Sequence, residues 1–355
     1  MKTSSKVVSG IGAAMLLGAA GQASANLDVS FYGLVDVFAG SVETPYSADS
    51  MDVVNAGGMS TSFLGSSMSY TMPSGLKAIA AVEMFFRPDT AEQGRYANDE
   101  FFARSAYVGL QGDFGMVRAG RNTSPYFLPT VFTNSLGDSF VFSPAILHTF
   151  QGGNGGTIVG DSGWSNSISY TTPSFNGLTA NVVYAAGERM GESSEGKFGA
   201  NVIYRKGALL AVAAFHDVDI GDPASPIGGA GEVPFTGLPG ASEQTAYMLG
   251  LAYDFGVVRL FGQFHSQETD TFAGDSIDTD IYNVGVTAPV GPGTVMASYG
   301  VADFSGDLDR ERKTWSLGYS YQLTQNVNLY GIFVDDDIDD IDDGSSFGVG
   351  ARLRF

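Results

Sequence analysis

Phe347-Gly348-Val349-Gly350-Ala351-Arg352-Leu353-Arg354-Phe355 closes the chain. Successive side chains of an extended strand point to opposite faces. Phe347, Val349, Ala351, Leu353 and Phe355 therefore share one face, and Gly348, Gly350, Arg352 and Arg354 share the other. One face suits an apolar surrounding and the other suits water. The same parity recurs in Trp315, Leu317, Tyr319 and Tyr321 against Ser316, Gly318 and Ser320. It recurs again in Tyr282, Val284 and Val286 against Asn283, Gly285 and Thr287, and in Tyr247, Leu249, Leu251 and Tyr253. For any one strand, packing on the second sheet of a soluble sandwich explains the apolar face as well. The arrangement along the whole chain separates the two readings.

From Asn26 onward the sequence consists of short alternating segments rich in Val, Tyr, Phe, Thr, Ala and Gly, with no sustained period of 3.6. This is an all-β chain. Seven tight connections are legible: 73–75, 112–115, 173–177, 206–207, 254–256, 290–293 and 322–326. Between them lie eight longer polar ones, at about 41–59, 88–103, 122–163, 187–196, 219–244, 268–280, 304–313 and 335–345. Together they join 16 strands. Strict alternation of short turn and long loop is the pattern of a transmembrane antiparallel β-barrel. Strands of about ten residues cross a bilayer when tilted, and closure removes unpaired edges that lipid cannot satisfy. A propeller would show a repeated blade motif, which is missing. Tyr170, Tyr184, Tyr253, Tyr282, Tyr319 and Tyr330 suit interfacial girdles, although β-propensity alone also places aromatics in strands.

Residues 1–25 carry Lys2 and Lys6, the small and apolar run from Val7 to Ala20, and Ala23-Ser24-Ala25. That is the pattern of a secretory signal peptide rather than of an anchor, and it assigns 26–355 to the barrel. The chain has no cysteine, so disulfides do not hold it. Without Lys2 and Lys6 it has 16 basic against 38 acidic residues, a formal charge of −22. Nucleic acid is an unsuitable partner for such a charge. Acids lining an opening would concentrate cations there, and a salt-adapted surface explains the total equally well.

Alternation stops from Asn122 to Gly163, where Tyr126, Phe127, Phe132, Phe140 and Phe142 accompany Asp138 and Asp161 without a Lys or Arg. A loop of this length is functional or disordered, and its aromatic content argues against disorder.

Several stretches resemble the general porins of Gram-negative outer membranes. They include 29–36, Gly57-Gly58-Met59-Ser60, Leu64-Gly65, 75–78, Arg104-Ser105-Ala106-Tyr107-Val108-Gly109-Leu110, Phe114-Gly115, Gly120-Arg121, 166–170, Pro173 and Gly177. The terminal Phe355 matches the signal that outer-membrane assembly machinery recognises in resembling proteins. The resemblance implies a trimeric barrel of 16 strands in the outer membrane, contacting lipid and lipopolysaccharide, with the third loop folded into the lumen. It also implies wall arginines set against loop acids, and a second loop, Pro88 to Ala103, that reaches a neighbouring subunit. The match is partial. Phe63 and Gly163 stand where basic residues are common, and Ser135-Leu136-Gly137-Asp138 replaces the usual acidic loop motif.

On this basis Arg104 and Arg121 are the expected wall charges and Asp138 their loop counterpart, with Arg87 and Arg118 as further candidates near strand ends. The competing reading is that these arginines solvate the lumen or brace the inward loop. Tyr126, Phe127, Phe140 and Phe142 either line the constriction or pin the loop to the wall. The expected function is passive diffusion of small hydrophilic solutes and ions with a preference for cations. The alternatives are a substrate-selective channel built on the aromatic loop and a plugged structural or adhesive barrel.

Asp335, Asp336, Asp337, Asp339, Asp340, Asp342 and Asp343 crowd the last loop. They read as a solvated acidic rim, or as a site for Ca²⁺ or Mg²⁺ shared with lipopolysaccharide. The spacing is not that of an EF-hand. No cofactor is expected. His148, His216 and His265 are scattered, and neither a Gly-x-Ser-x-Gly elbow nor a phosphate loop is present. Gly152-Gly153-Asn154-Gly155-Gly156 reads as a hinge.

Overall fold

The computed structural model describes residues 26–45, 47–151, 156–187, 196–219, 240–341 and 343–355. The leader assigned to 1–25 and most of the glycine-rich hinge lie outside them. Strands are β1 (Leu27–Val42), β2 (Met51–Ala56), β3 (Phe63–Thr71), β4 (Lys77–Arg87), β5 (Glu92–Gln93), β6 (Ser105–Gly112) and β7 (Gly115–Thr123). After an interruption follow β8 (Gly163–Thr171), β9 (Leu178–Ala186), β10 (Gly196–Lys206), β11 (Leu209–Asp219), β12 (Ala241–Asp254) and β13 (Arg259–Thr271). The chain ends with β14 (Ser276–Val290), β15 (Gly293–Gly306), β16 (Arg310–Gln322), β17 (Val327–Ile338) and β18 (Gly344–Arg354).

Every pairing is antiparallel, and the sheet closes where β18 pairs with β1, from Leu34 opposite Arg354 to Ser41 opposite Phe347. The other side of β1 pairs with β3 over its first half and with β2 over its second. β2 and β3 are thus one wall strand interrupted at residues 57–62. β5 pairs only with the end of β4. Sixteen strands form the wall.

Parity decides what each face meets. Val108, Ile168, Leu249, Val284, Leu317 and Val349 point outward and are exposed, whereas Ser169, Gln263, Asn283, Ser298 and Ser316 point inward and are buried. An apolar outer band around a polar interior is the lipid-facing design. Tyr330 is an exception to the girdle expected of it, because its side chain faces inward and is 6 % exposed.

Three of the expected long loops are strand instead. β13 and β14 run to Thr271 and from Ser276, β15 and β16 to Gly306 and from Arg310, and β17 and β18 to Ile338 and from Gly344. β14 has 15 residues, more than the ~9–11 that a bilayer requires, so the upper ends of these strands stand clear of lipid. There the outward face meets water. It carries Glu243, Glu268, Asp270, Asp278, Asp280, Asp303, Asp335 and Asp337, each at outward parity with the apolar residues below it. Polar composition therefore marks a solvated outer face here, not a loop.

Candidate functional site: the lumen and its inward segment

Residues 124–162 connect β7 to β8 and contain two short helices, α1 (Phe127–Phe132) and α2 (Pro144–Thr149). Asn201 of β10 donates to the Pro125 carbonyl at 2.6 Å, and Gln263 of β13 donates to that of Thr130 at 2.6 Å. Ser135 donates to Ala297 of β15 at 2.7 Å, Ser139 donates to Gly58 at 2.6 Å, and Ser316 of β16 donates to Phe142 at 2.6 Å. These partners are spread around more than half the ring. One segment reaches them all only from inside the wall.

Packing follows the same geometry. Tyr126, Ile146, Phe150 and Ile158 are buried against Leu210, Val212, Ala246 and Met248, and Leu136, Phe142 and Leu147 are buried against Phe38, Met296, Ile332 and Val334. The protein's apolar core lies between this segment and the wall. Gly348, from the closing stretch, makes room for it: a Cβ there would lie 2.7 Å from Phe38 and 2.9 Å from Phe142. The six-residue α1 turns Thr130 and Thr133 to the wall. Leu128, Val131 and Phe132 then turn toward its other side by helical spacing, with Phe127 at the edge between the two. Leu128 is 39 % exposed and its three neighbours are half-buried.

The tip of the segment is held by a chain of polar contacts. Asp36 accepts the backbone N–H groups of Met59 and Ser60 at 3.1 and 3.0 Å and the Tyr330 hydroxyl at 2.5 Å. Ser60 donates to Asp138 at 2.8 Å and accepts from Arg352 at 2.9 Å. The interruption between β2 and β3 thus turns backbone inward to meet the loop.

The root of the segment is clamped by Asp161, which receives Arg95 at 2.7 and 2.9 Å and Arg121 at 2.9 Å. Burial alone would raise this carboxyl, but Arg95 by charge and hydrogen bonding, with Arg121, outweighs burial and holds it well below the ordinary range. Arg95 also engages Asp99, so the second loop is tied to its own barrel. Further along, Arg312 makes a two-pronged pair with Asp336 at 2.9 and 2.6 Å and donates to the Leu147 carbonyl at 3.2 Å. Thr314 donates its one proton to Asp336 at 2.6 Å, so it accepts from His148 Nε2 at 2.7 Å. Burial first, then Arg312 and His265, push His148 well below its ordinary value.

On the open side of the lumen, Arg104 pairs with Glu83 and stacks 3.9 Å over Phe63, and Tyr32 donates to Glu83 at 2.6 Å. Arg118 lies 5.0 Å over Tyr107 and donates to Ser169 at 3.2 Å. Arg205 of β10 lies 5.2 Å over Phe132 of α1. Among the described residues neither Arg118 nor Arg205 has a carboxylate partner.

The expected site residues separate into three groups. Arg104, Arg118, Asp138 and Phe140 stand at the lumen, partly exposed. Arg121 and Tyr126 do not line it: Arg121 is buried among Ala103, Ser165 and Asp161, and Tyr126, 0 % exposed, lies 2.9 Å from both the Tyr247 carbonyl and His265 Nδ1. Arg87 pairs with Glu92 of β5 at 2.8 Å, on the second loop. The expected opposition of Asp138 to Arg104 and Arg121 is replaced by contacts through Ser60 to Arg352. Asp36, Ser60, Arg205, Arg312 and Arg352 were not singled out as site residues. Inward parity was the available signal for all but Ser60, which sits in the strand interruption.

The last-loop aspartates divide as well. Asp336 is inward and taken by Arg312, while Asp335 accepts from Trp315 at 3.1 Å. No group of three or more His, Asp or Glu able to hold a metal is found among the described residues, and Asp342 lies outside them.

Residues 12–340 match the Gram-negative porin family. Outer membrane porin protein 32 of Delftia acidovorans is 30 % identical over 89 % of this chain and 86 % of its own length. The solved anion-selective porin from Comamonas acidovorans superposes with a TM-score of 0.75 at 25 % identity, covering 93 % of this chain and 100 % of that one. The trimer form of OmpT of Vibrio cholerae superposes with a TM-score of 0.67 at 15 % identity, covering 93 % and 100 %. With its closed wall of 16 antiparallel strands, apolar outside and polar inside, the chain belongs to the Gram-negative porin family of the outer membrane.

Proposed function

We propose that the protein is a diffusion channel for small hydrophilic solutes and ions, assembled as a homotrimer, whose ion preference is set by its inner wall and favours anions. The observation that carries this reading is where the charges lie. Glu243, Glu268, Asp270, Asp278, Asp280, Asp303, Asp335 and Asp337 stand on the outward face above the membrane and do not line the lumen. Most inward acids are engaged, Glu83 by Arg104 and Tyr32, Asp161 by Arg95 and Arg121, Asp336 by Arg312, and Asp36 by backbone N–H groups and Tyr330, while Asp138 at the lumen accepts from Ser60, which Arg352 also meets. Arg118 and Arg205 face the lumen without such compensation. Potential inside a narrow low-dielectric opening follows local charge, not the molecule's sum. The cation preference expected from composition is thus left without support at the lumen, and a relative of 25 % identity is itself anion-selective.

The upper outward acids face lipopolysaccharide, and the hairpin aspartates Asp337, Asp339, Asp340 and Asp343 form a solvated acidic rim. Reversal potentials across planar bilayers in a KCl gradient test the channel reading. Steady conductance with an anion-directed potential is expected. A cation-directed potential overturns the preference, and absence of steady current overturns the channel.

A further inference from the structure

The lumen of this channel is not uniformly wet. α1 leans through Thr130 and Thr133 on β12 and β13, and its cluster packs on β11, so its other side points across the barrel. In a ring of sixteen strands the wall opposite β11 to β13 is β1, β3 and β4, which brings Tyr32, Phe63 and the Arg104–Glu83 pair to face it. That side of α1 presents Leu128, which is exposed, flanked by Phe127, Val131 and Phe132, which are half-buried against the core cluster and keep part of their apolar surface toward the lumen. Leu128 belongs to none of the core clusters of the described residues, so packing does not account for it. An exposed apolar patch on an otherwise solvated surface marks a contact for something else.

A cation stands at the end of that patch. Arg205 is exposed at inward parity near the turn end of β10, its guanidinium resting over Phe132. A guanidinium held by its face on a ring keeps its edge N–H groups for a planar anion. No carboxylate of the described residues occupies that edge.

We infer that the α1 face and Arg205 form a subsite for amphipathic organic anions, small carboxylates bearing an aromatic or aliphatic group, and that the channel passes these in preference to equally charged solutes without one. The inference rests on the diffusion-channel reading and adds a solute class to it. The carboxylate pairs with the Arg205 edge while the apolar part slides along Phe127, Leu128, Val131 and Phe132. Both contacts face water and are shallow, so residence is brief and passage continues.

The test is a set of bi-ionic potentials on the full chain in planar bilayers, with chloride, acetate and benzoate as potassium salts. The expected result is a benzoate-to-acetate permeability ratio about fivefold above the ratio of their free mobilities, equivalent to about 1 kcal/mol. Arg205→Gln and Leu128→Ser should each bring it toward the mobility ratio. Leu128 is exposed and Arg205 forms no ion pair among the described residues, so neither change removes a core contact. Steady chloride current with a wild-type benzoate ratio at or below the mobility value overturns this inference and leaves the channel reading standing. A ratio that is raised in wild type but unmoved in both variants overturns the assignment to α1 and Arg205. Absence of any steady chloride current overturns the channel reading, and this inference falls with it.

Discussion

Replacing Arg312 by methionine removes the cation that neutralises a carboxylate held between the wall and the inward segment. Arg312 is 1 % exposed and Asp336 is 6 % exposed, so water cannot take over the lost charge. Deleting one partner of a buried pair costs about 3–5 kcal/mol. The bond to the Leu147 carbonyl adds about 1 kcal/mol when its acceptor is left unpaired. Thr314 and His148 stand in the same chain of hydrogen bonds, so the anchorage of α2 is weakened as well. Arg312→Met should therefore lower the unfolding free energy by roughly 4–6 kcal/mol, measured by urea unfolding of refolded protein in lipid vesicles. The double variant Arg312→Met with Asp336→Leu should recover most of that loss, because an apolar replacement of both partners is often close to neutral. A single variant within about 1 kcal/mol of wild type, or a double variant no better than the single, would refute the argument from an uncompensated buried charge.

Acidification should act in two windows. His148 has a folded value below its unfolded value of ~6.5, so the unfolded chain takes up a proton that the folded chain refuses, and stability falls as pH drops below about 6.5, by up to about 1.4 kcal/mol per unit. His148→Gln should flatten that slope in unfolding curves between pH 8 and 5. Asp161 is depressed when folded, so its contribution is fully present above the unfolded value of about 4 and is lost only below it. Arg95→Leu should reduce the loss seen in that acid window. Asp138→Asn and Arg118→Gln should move the reversal potential in opposite directions, toward anions and toward cations respectively, each by about twofold in permeability ratio. Calcium should shift the unfolding midpoint of wild type and of Asp337→Asn with Asp339→Asn equally, and a larger response of wild type would overturn the reading of the hairpin as a solvated rim.

The wall was legible because its information is local. Alternation over a few residues tells which side of a strand meets lipid, as Phe347, Val349 and Leu353 do, and turn chemistry between strands gives the count. The reading lost its grip where the outer environment changed along one strand. Above the bilayer the outward side must be polar, so the ends of β13 to β18 look like loop in sequence while their inward residues Thr269, Thr279 and Phe304 keep the strand parity. The inward segment was legible as an interruption, and its aromatics as wall pins or lumen lining, with no local rule to divide them. Tyr126 became a pin and Phe140 stayed at the lumen because the first faces His265 and the second does not.

The chain's period fixes an all-β wall of sixteen strands with one apolar and one polar face, because backbone geometry imposes the alternation wherever the strand lies. It does not fix which charges meet. Ser139 finds Gly58 across 81 residues and Ser316 finds Phe142 across 174, contacts that exist only once the ring closes around the segment. Arg121 reads like Arg104 in sequence, yet closure buries the first against Asp161 and leaves the second at the lumen. Gly348 reads as a small residue on the wet face. Only the folded barrel shows that it is small because Phe38 and Phe142 pack where a side chain would be.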